Sequence, residues 1–171
     1  MRPFSAMAAL GTAAHHGFEL AAGVGLVFEP WLGRRGAVAV WMALLPAYVT
    51  GALTGSRRAA PWVTLGNGMS LSGGIVHYVQ WPWELRGGVP TLTRAEGMTA
   101  DRLPAYNRIL QLWTTAGGLA LAFETPRRAR VWAVAGVLLG EPLRRSAIHH
   151  FRWAREQARR QPEKWSPVLR S

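Results

Sequence analysis

Apolar residues in this chain gather into long blocks, and arginines collect in the gaps between them, a pattern that predicts membrane helices rather than alternating strands. The blocks fall at 4–28, 36–55, 59–83, 106–124 and 131–143. The first four reach or approach the roughly 20 residues that a helix needs to cross about 30 Å of hydrocarbon. The fifth reaches only about 20 Å at 1.5 Å per residue, so it spans only if Glu141 and Arg144 enter a polar interior or snorkel. The expected fold is an all-α, polytopic integral membrane bundle of five transmembrane helices, with four plus an interfacial helix as the alternative. Residues 1–143 make the bundle, with its longest loop at 84–105, and residues 144–171 make a basic C-terminal helix and tail.

The first block follows Arg2 as a signal peptide would, but it is too long for a signal h-region and its middle is polar. It reads as a retained span. The loop at 84–105 contains Gly87-Gly88, Pro90, Gly97 and Pro104, which exclude a long helix there; its length suits either a lid or a flexible link.

Helical spacing groups the polar residues inside the blocks. Thr12, His15 and Glu19 share one face, with His16 beside it. Asn67, Ser70, Gly74 and His77 form a second stripe, and Asn107, Gln111, Thr114 and Gly118 a third. Ionisable groups at such depth cost about 2.5 kcal/mol or more each if charged, and they face a bundle interior, a cavity or a partner. Rise along the helices puts Glu19 and His77 within about 4 to 5 Å in level but His15 about 10 Å from His77, which argues against a haem held between the two histidines. The same arithmetic brings Gln111, Glu141, Arg144 and Arg145 near the level of Glu19.

Composition changes this picture little. With 49% hydrophobic residues and a mean hydropathy of +0.04 the average looks soluble, because the apolar blocks and the arginines cancel. Cysteine is absent, which excludes disulfides, thiolate metal sites and cysteine nucleophiles. The net charge of +11 is scattered among the gaps and does not form a stripe, so nucleic-acid binding is not expected. Arg2, Arg57, Arg58, Arg127, Arg128 and Arg130 belong to one side. Arg34, Arg35, Arg86, Arg94, Arg102 and the tail belong to the other, so the positive-inside rule expects a cytoplasmic C-terminus in a bacterial plasma membrane.

Trp31, Trp62, Trp81 and Trp83 fall near block ends and read as interfacial anchors, whereas Trp41 and Trp113 lie deeper and suit a pocket wall. Glu29 and Glu124 each precede a breaker and read as boundaries. The tail helix, with Ile148, Phe151, Ala154 and Ala158 on one side, is expected to lie on anionic lipid headgroups and to fray after Pro162. His149 and His150 point in different directions and are not read as a metal pair.

The expected function is a polar intramembrane pocket that binds a lipid or lipophilic small molecule. Glu19, His15 and His77 would be its acid–base residues, for isomerisation, cyclisation or hydration of an isoprenoid-like substrate. His16, Asn67, Gln111, Glu141, Arg144 and Arg145 would bind ligand. No metal and no cofactor is expected, and a homo-oligomer is compatible with so small a chain. The alternative is a non-catalytic membrane subunit whose polar residues serve helix packing. No dinucleotide, phosphate-loop, HExxH or GxSxG pattern is present.

Overall fold

A computed structural model describes residues 1–170. Six α-helices and one hairpin, with three short 3-10 turns, make up the regular structure among them: α1 (Pro3–Ala21), α2 (Glu29–Thr54), α3 (Ala60–Gln80), β1 (Trp83–Arg86), β2 (Val89–Leu92), α4 (Leu103–Glu124), α5 (Arg130–Leu138) and α6 (Gly140–Arg160). Each of α1 to α4 opens with proline in its first two positions, where the missing N–H is no loss and the fixed φ suits a helix. The first block stops at Ala21, because Gly23 and Gly25 take positive φ and turn the chain into α2. Within α2, Gly33 (φ 63°, ψ 170°) breaks the helical geometry between its first turn and its long apolar part.

Helices α1 to α4 run alternately up and down. At one end the Glu124 carboxylate of α4 accepts the backbone N–H groups of Phe4 and Ser5 at 2.8 Å each, and the Ser5 hydroxyl at 2.7 Å. It caps the exposed donors of α1 with a negative charge, the favourable sign at a helix N-terminus. The same end holds the bond from Arg2 N–H to the Ala52 carbonyl (3.0 Å) and that from Arg128 to the Arg57 carbonyl (3.2 Å). At the other end Arg102 donates to the Ala21 carbonyl.

Helix α5 reaches α3 through a reciprocal glycine contact. A Cβ on Gly136 would stand 2.3 Å from the Leu65 carbonyl oxygen, and one on Gly68 would stand 2.7 Å from the Ala133 carbonyl oxygen. Backbone meets backbone here, a close approach that small residues permit.

The loop at 84–105 holds a hairpin that the breaker residues did not predict. Gly87 and Gly88, both at positive φ, make its two-residue turn, and Trp83 pairs Leu92 across the ladder. Asn107 clamps it to α4 by accepting Leu92 N–H (2.8 Å) and donating to the Leu92 carbonyl (3.0 Å). Leu92, Ala95 and Met98 enter the core with Tyr106, Leu110 and Phe151.

The C-terminal segment corrects two expectations. The side of α6 carrying Phe151, Ala154 and Ala158 is buried against the bundle, so that side is unavailable to lipid. Beyond Pro162 the chain does not fray: Trp165 and Leu169 are buried, and Ser166 N–H donates to the Gly23 carbonyl at 2.9 Å. A guanidinium from α2, Arg34, lies 5.0 Å over the Trp165 ring and pairs with buried Glu29. Glu29 also accepts Leu26 N–H, so it staples the α1–α2 turn besides marking a boundary.

Substituting Gly136→Val should abolish the folded peak in gel filtration, since the new side chain meets backbone that has no rotamer to yield; Gly17→Val, in open space, should leave it intact. A second expectation concerns His150, which bonds the Val24 carbonyl at 3.0 Å. Burial holds its imidazole below the usual histidine range, opposed in part by Glu19, the Val24 carbonyl, Glu29 and Glu96. The unfolded chain then takes up a proton that the fold resists, so this contribution is complete above about pH 6.5 and is lost as pH falls below it. Melting temperature measured from pH 7.5 to 5 should fall less steeply in His150→Gln than in the parent.

Candidate functional site

Between α1, α2, α3 and α6 lies a cavity of about 530 Å³. Its walls are mostly apolar: Leu44 and Leu45 from α2, Leu65 and Met69 from α3, Leu143 and Phe151 from α6. Its polar end is built by α1, which presents His15, His16 and Glu19 on one face, and by His77 of α3. Trp41 and Trp113 line it as expected, and Trp62 and Trp81, read from the sequence as interfacial anchors, line it too.

Glu19 is the hub. Its Oε1 accepts the Tyr106 hydroxyl at 2.8 Å, which leaves Oε2 facing His15 Nε2 at 3.4 Å and His16 Nδ1 at 3.7 Å. The His15 ring stacks on Trp113 with centroids 4.6 Å apart and planes 18° apart, and meets His77 edge-on at 4.9 Å. The His16 ring lies against Trp41 with centroids 3.8 Å apart. Trp113 is seated between glycines: a Cβ on Gly11 would stand 3.0 Å from its Cα, and one on Gly73 would stand 2.8 Å from its ring.

The contact between His15 and His77 corrects the depth arithmetic. Thr12 and Ser70 stand at one level, their hydroxyls 3.3 Å apart, which puts His15 level with Gly73 rather than with His77. His77 Nδ1 bonds the Gly73 carbonyl at 2.6 Å, so its ring folds back one helical turn and arrives beside His15. With the two rings touching, a macrocycle has no room between them, so the objection to a haem stands on contact rather than on level.

Other expected ligand-binding residues lie elsewhere. Gln111 is turned to the hairpin, donating to the Pro90 carbonyl at 2.9 Å. Glu141 is on the surface, paired with Arg144 (2.7 Å) and Arg145 (2.8 Å), and the hydrogen bonds of Arg144 and then Arg145 draw its carboxyl down to about 2. The converging set of Glu19, His77, Gln111, Glu141 and Arg144 therefore does not form. Asn67 is buried in a packing relay: Tyr48 hydroxyl to Asn67 Oδ1 (2.6 Å), Asn67 Nδ2 to Ser5 Oγ (2.9 Å), Ser5 hydroxyl to Glu124 (2.7 Å). That relay ties α2, α3, α1 and α4 together at the end opposite the hairpin.

Tyr106 is the residue that sequence reasoning missed. The polar stripe Asn107, Gln111, Thr114 suggests one inward face for α4, but the inward face is its neighbour, Tyr106, Leu110, Trp113 and Gly117. Two aromatic residues seven apart were the available signal.

Comparison with known proteins leaves the site to be read from its own geometry. No protein-family model, curated protein or solved structure matches the chain.

Three groups at the polar end can serve as metal ligands: one atom each from His15, Glu19 and His77, all within 4.8 Å of one another. Free acceptor and donor atoms add to this. Nδ1 of His15 and Nε1 of both Trp41 and Trp113 are buried without a hydrogen-bond partner.

Proposed function

We propose that this is a multi-pass membrane protein that binds a lipophilic small molecule or lipid in the chamber, polar end at Glu19. The observation that carries the reading is the inversion of polarity: a titratable cluster enclosed among helices whose outer surfaces are apolar. Each of α1 to α5 turns large apolar side chains outward, including Leu10, Met42, Val79, Phe123 and Leu138. An apolar surface extended over five helices exceeds the scattered exposure of a water-soluble monomer and suits lipid contact.

By length and composition one helix, α2, is apolar enough to cross a membrane, and only 22% of its apolar window is buried, unlike the core helix of a soluble protein. Helices α1, α3 and α4 have 19, 21 and 22 residues. At 1.5 Å per residue these lengths approach or reach the roughly 30 Å of a hydrocarbon layer. What lowers the hydropathy of α1 is the trio His15, His16 and Glu19, which faces inward. The outward apolar run of α5 ends at Leu138, and the exposed Glu141, Arg144 and Arg145 follow it. We therefore read four spans and a fifth crossing that α5 begins from the Glu124 end and α6 carries on to the hairpin end, where the tail docks at Gly23 and Gly97. The greater arginine count at the hairpin and tail end favours a cytoplasmic side for that end.

A chamber of 530 Å³ falls in the range of small-molecule sites, and its few polar groups converge at one end. A ligand with a long apolar body and one oxygen-bearing end fits this division. Any acid–base chemistry on it belongs at the polar end, because the Asn67 relay is already satisfied within itself. The non-catalytic packing role expected for polar residues is assigned to that relay and to Thr12 and Ser70.

Filling the chamber tests the reading. In purified protein, a fluorescent fatty acid should bind with one site per chain, and Ala147→Trp and Met69→Trp should each weaken it by tenfold or more while the helical circular dichroism is kept. Parent affinity in both folded variants would refute the chamber as the site.

A further inference from the structure

We infer that the polar end of the chamber is a binding site for a divalent first-row transition-metal ion, held by His15, Glu19 and His77. This deepens the chamber reading by naming what its ligand would meet there.

The donor set has the chemistry. Two imidazoles and one carboxylate suit zinc or ferrous iron rather than calcium or magnesium, which take oxygen shells. The spacing suits it as well. His15 Nε2 and Glu19 Oε2 stand 3.4 Å apart, about the separation of two ligand atoms bound at roughly 2.0–2.2 Å on one tetrahedral ion. All three donor atoms lie within 4.8 Å, so closure on an ion needs only small side-chain movements.

The supporting bonds point the donors inward. The Gly73 carbonyl bonds His77 Nδ1, which leaves Nε2 as the free nitrogen of that ring. The Tyr106 hydroxyl occupies Glu19 Oε1 and leaves Oε2 to the histidines. Ligating histidines and carboxylates are held by such outer bonds, which fix tautomer and orientation. Trp113 stacked on His15 fixes the third ligand. His15 is 97% buried by its 3% exposure, and its Nδ1 has no partner. A histidine walled in with both a carboxylate and a second imidazole is costly to bury for packing alone.

Three protein ligands leave a fourth position, which opens on the chamber; His16, with Nδ1 3.7 Å from Glu19, borders it. One carboxylate on a divalent ion leaves a net positive centre, so the ligand class is a lipophilic molecule ending in a carboxylate, carbonyl or hydroxyl oxygen.

The test uses the full chain, untagged, purified in detergent and stripped with a chelator. Titration with Co²⁺, followed by its visible d–d absorption and by elemental analysis, should give one ion per chain. His77→Ala and Glu19→Gln should each lower the affinity by a hundredfold or more, and Tyr106→Phe by about 10- to 100-fold, as loss of an outer-shell partner does. His149→Ala, altering an exposed histidine stacked on Trp31, should change nothing. Binding below half an ion per chain, or parent affinity in folded His77→Ala and Glu19→Gln, overturns the site. If neither variant folds, X-ray absorption of the parent cobalt protein decides: a shell with two imidazoles supports it and an oxygen-only shell overturns it. Fatty-acid binding measured on both stripped and cobalt-loaded protein separates the two readings: binding without metal stoichiometry removes the metal alone, and absence of binding in both forms removes the chamber as well.

Discussion

A carboxylate enclosed among helices must be matched by donors where it stands, because little water reaches it and an unmatched charge there costs several kcal/mol or more. Glu19 imposes that constraint on everything around it. Tyr106 of α4 supplies a hydroxyl, His15 and His16 of its own helix supply imidazoles, and His77 of α3 closes the group. Three helices are therefore held at fixed rotation and fixed level by one side chain. The level is set locally, since the bond from His77 to the Gly73 carbonyl folds its ring back to His15.

Two polar systems divide the labour of the bundle. Within the Glu124 relay the groups are paired: its oxygens take the first donors of α1, and the Ser5–Asn67–Tyr48 relay fixes α2 and α3 to the same end. Around Glu19 the reverse holds, with the Nδ1 atoms of His15 and His16 and two indole nitrogens left without hydrogen bonds beside an open cavity. A satisfied network rigidifies, whereas donors held in place without partners are pre-organised for something that enters. Helix α2 forms the wall most separated from the rest, pinned near Glu29 at one end and near Tyr48 and Ala52 at the other.

Much of this was legible in the chain. Block lengths predicted α1 to α4, and the i, i+4 spacing put His15 and Glu19 on one inward face. What could not be read depends on contacts distant in sequence. The inward face of α4 escapes the pattern because polar Asn107 and Gln111 are hidden beneath a hairpin that five turn residues alone do not announce. Glu141 and Arg144 satisfy each other on the surface at a spacing of three residues, so nothing drives them inward. Trp165 and Leu169 dock because the Gly23 turn offers a carbonyl and Arg34 a guanidinium, neither of which is visible from the tail's own composition. His77 was placed too far from His15 because rise per residue takes no account of a ring that folds back along its own helix.

The inverted polarity is the central claim, and the absence of native cysteine makes it directly measurable. Single cysteines at Leu112 and Val134, on the outward faces of α4 and α5, and at Arg57 and Arg86, at the two ends, would carry a bimane label in reconstituted vesicles. Lipids brominated or spin-labelled on their chains should quench the labels at 112 and 134 and leave those at 57 and 86 to a water-soluble quencher. Labels at 112 and 134 quenched from water, and untouched by lipid, would contradict it.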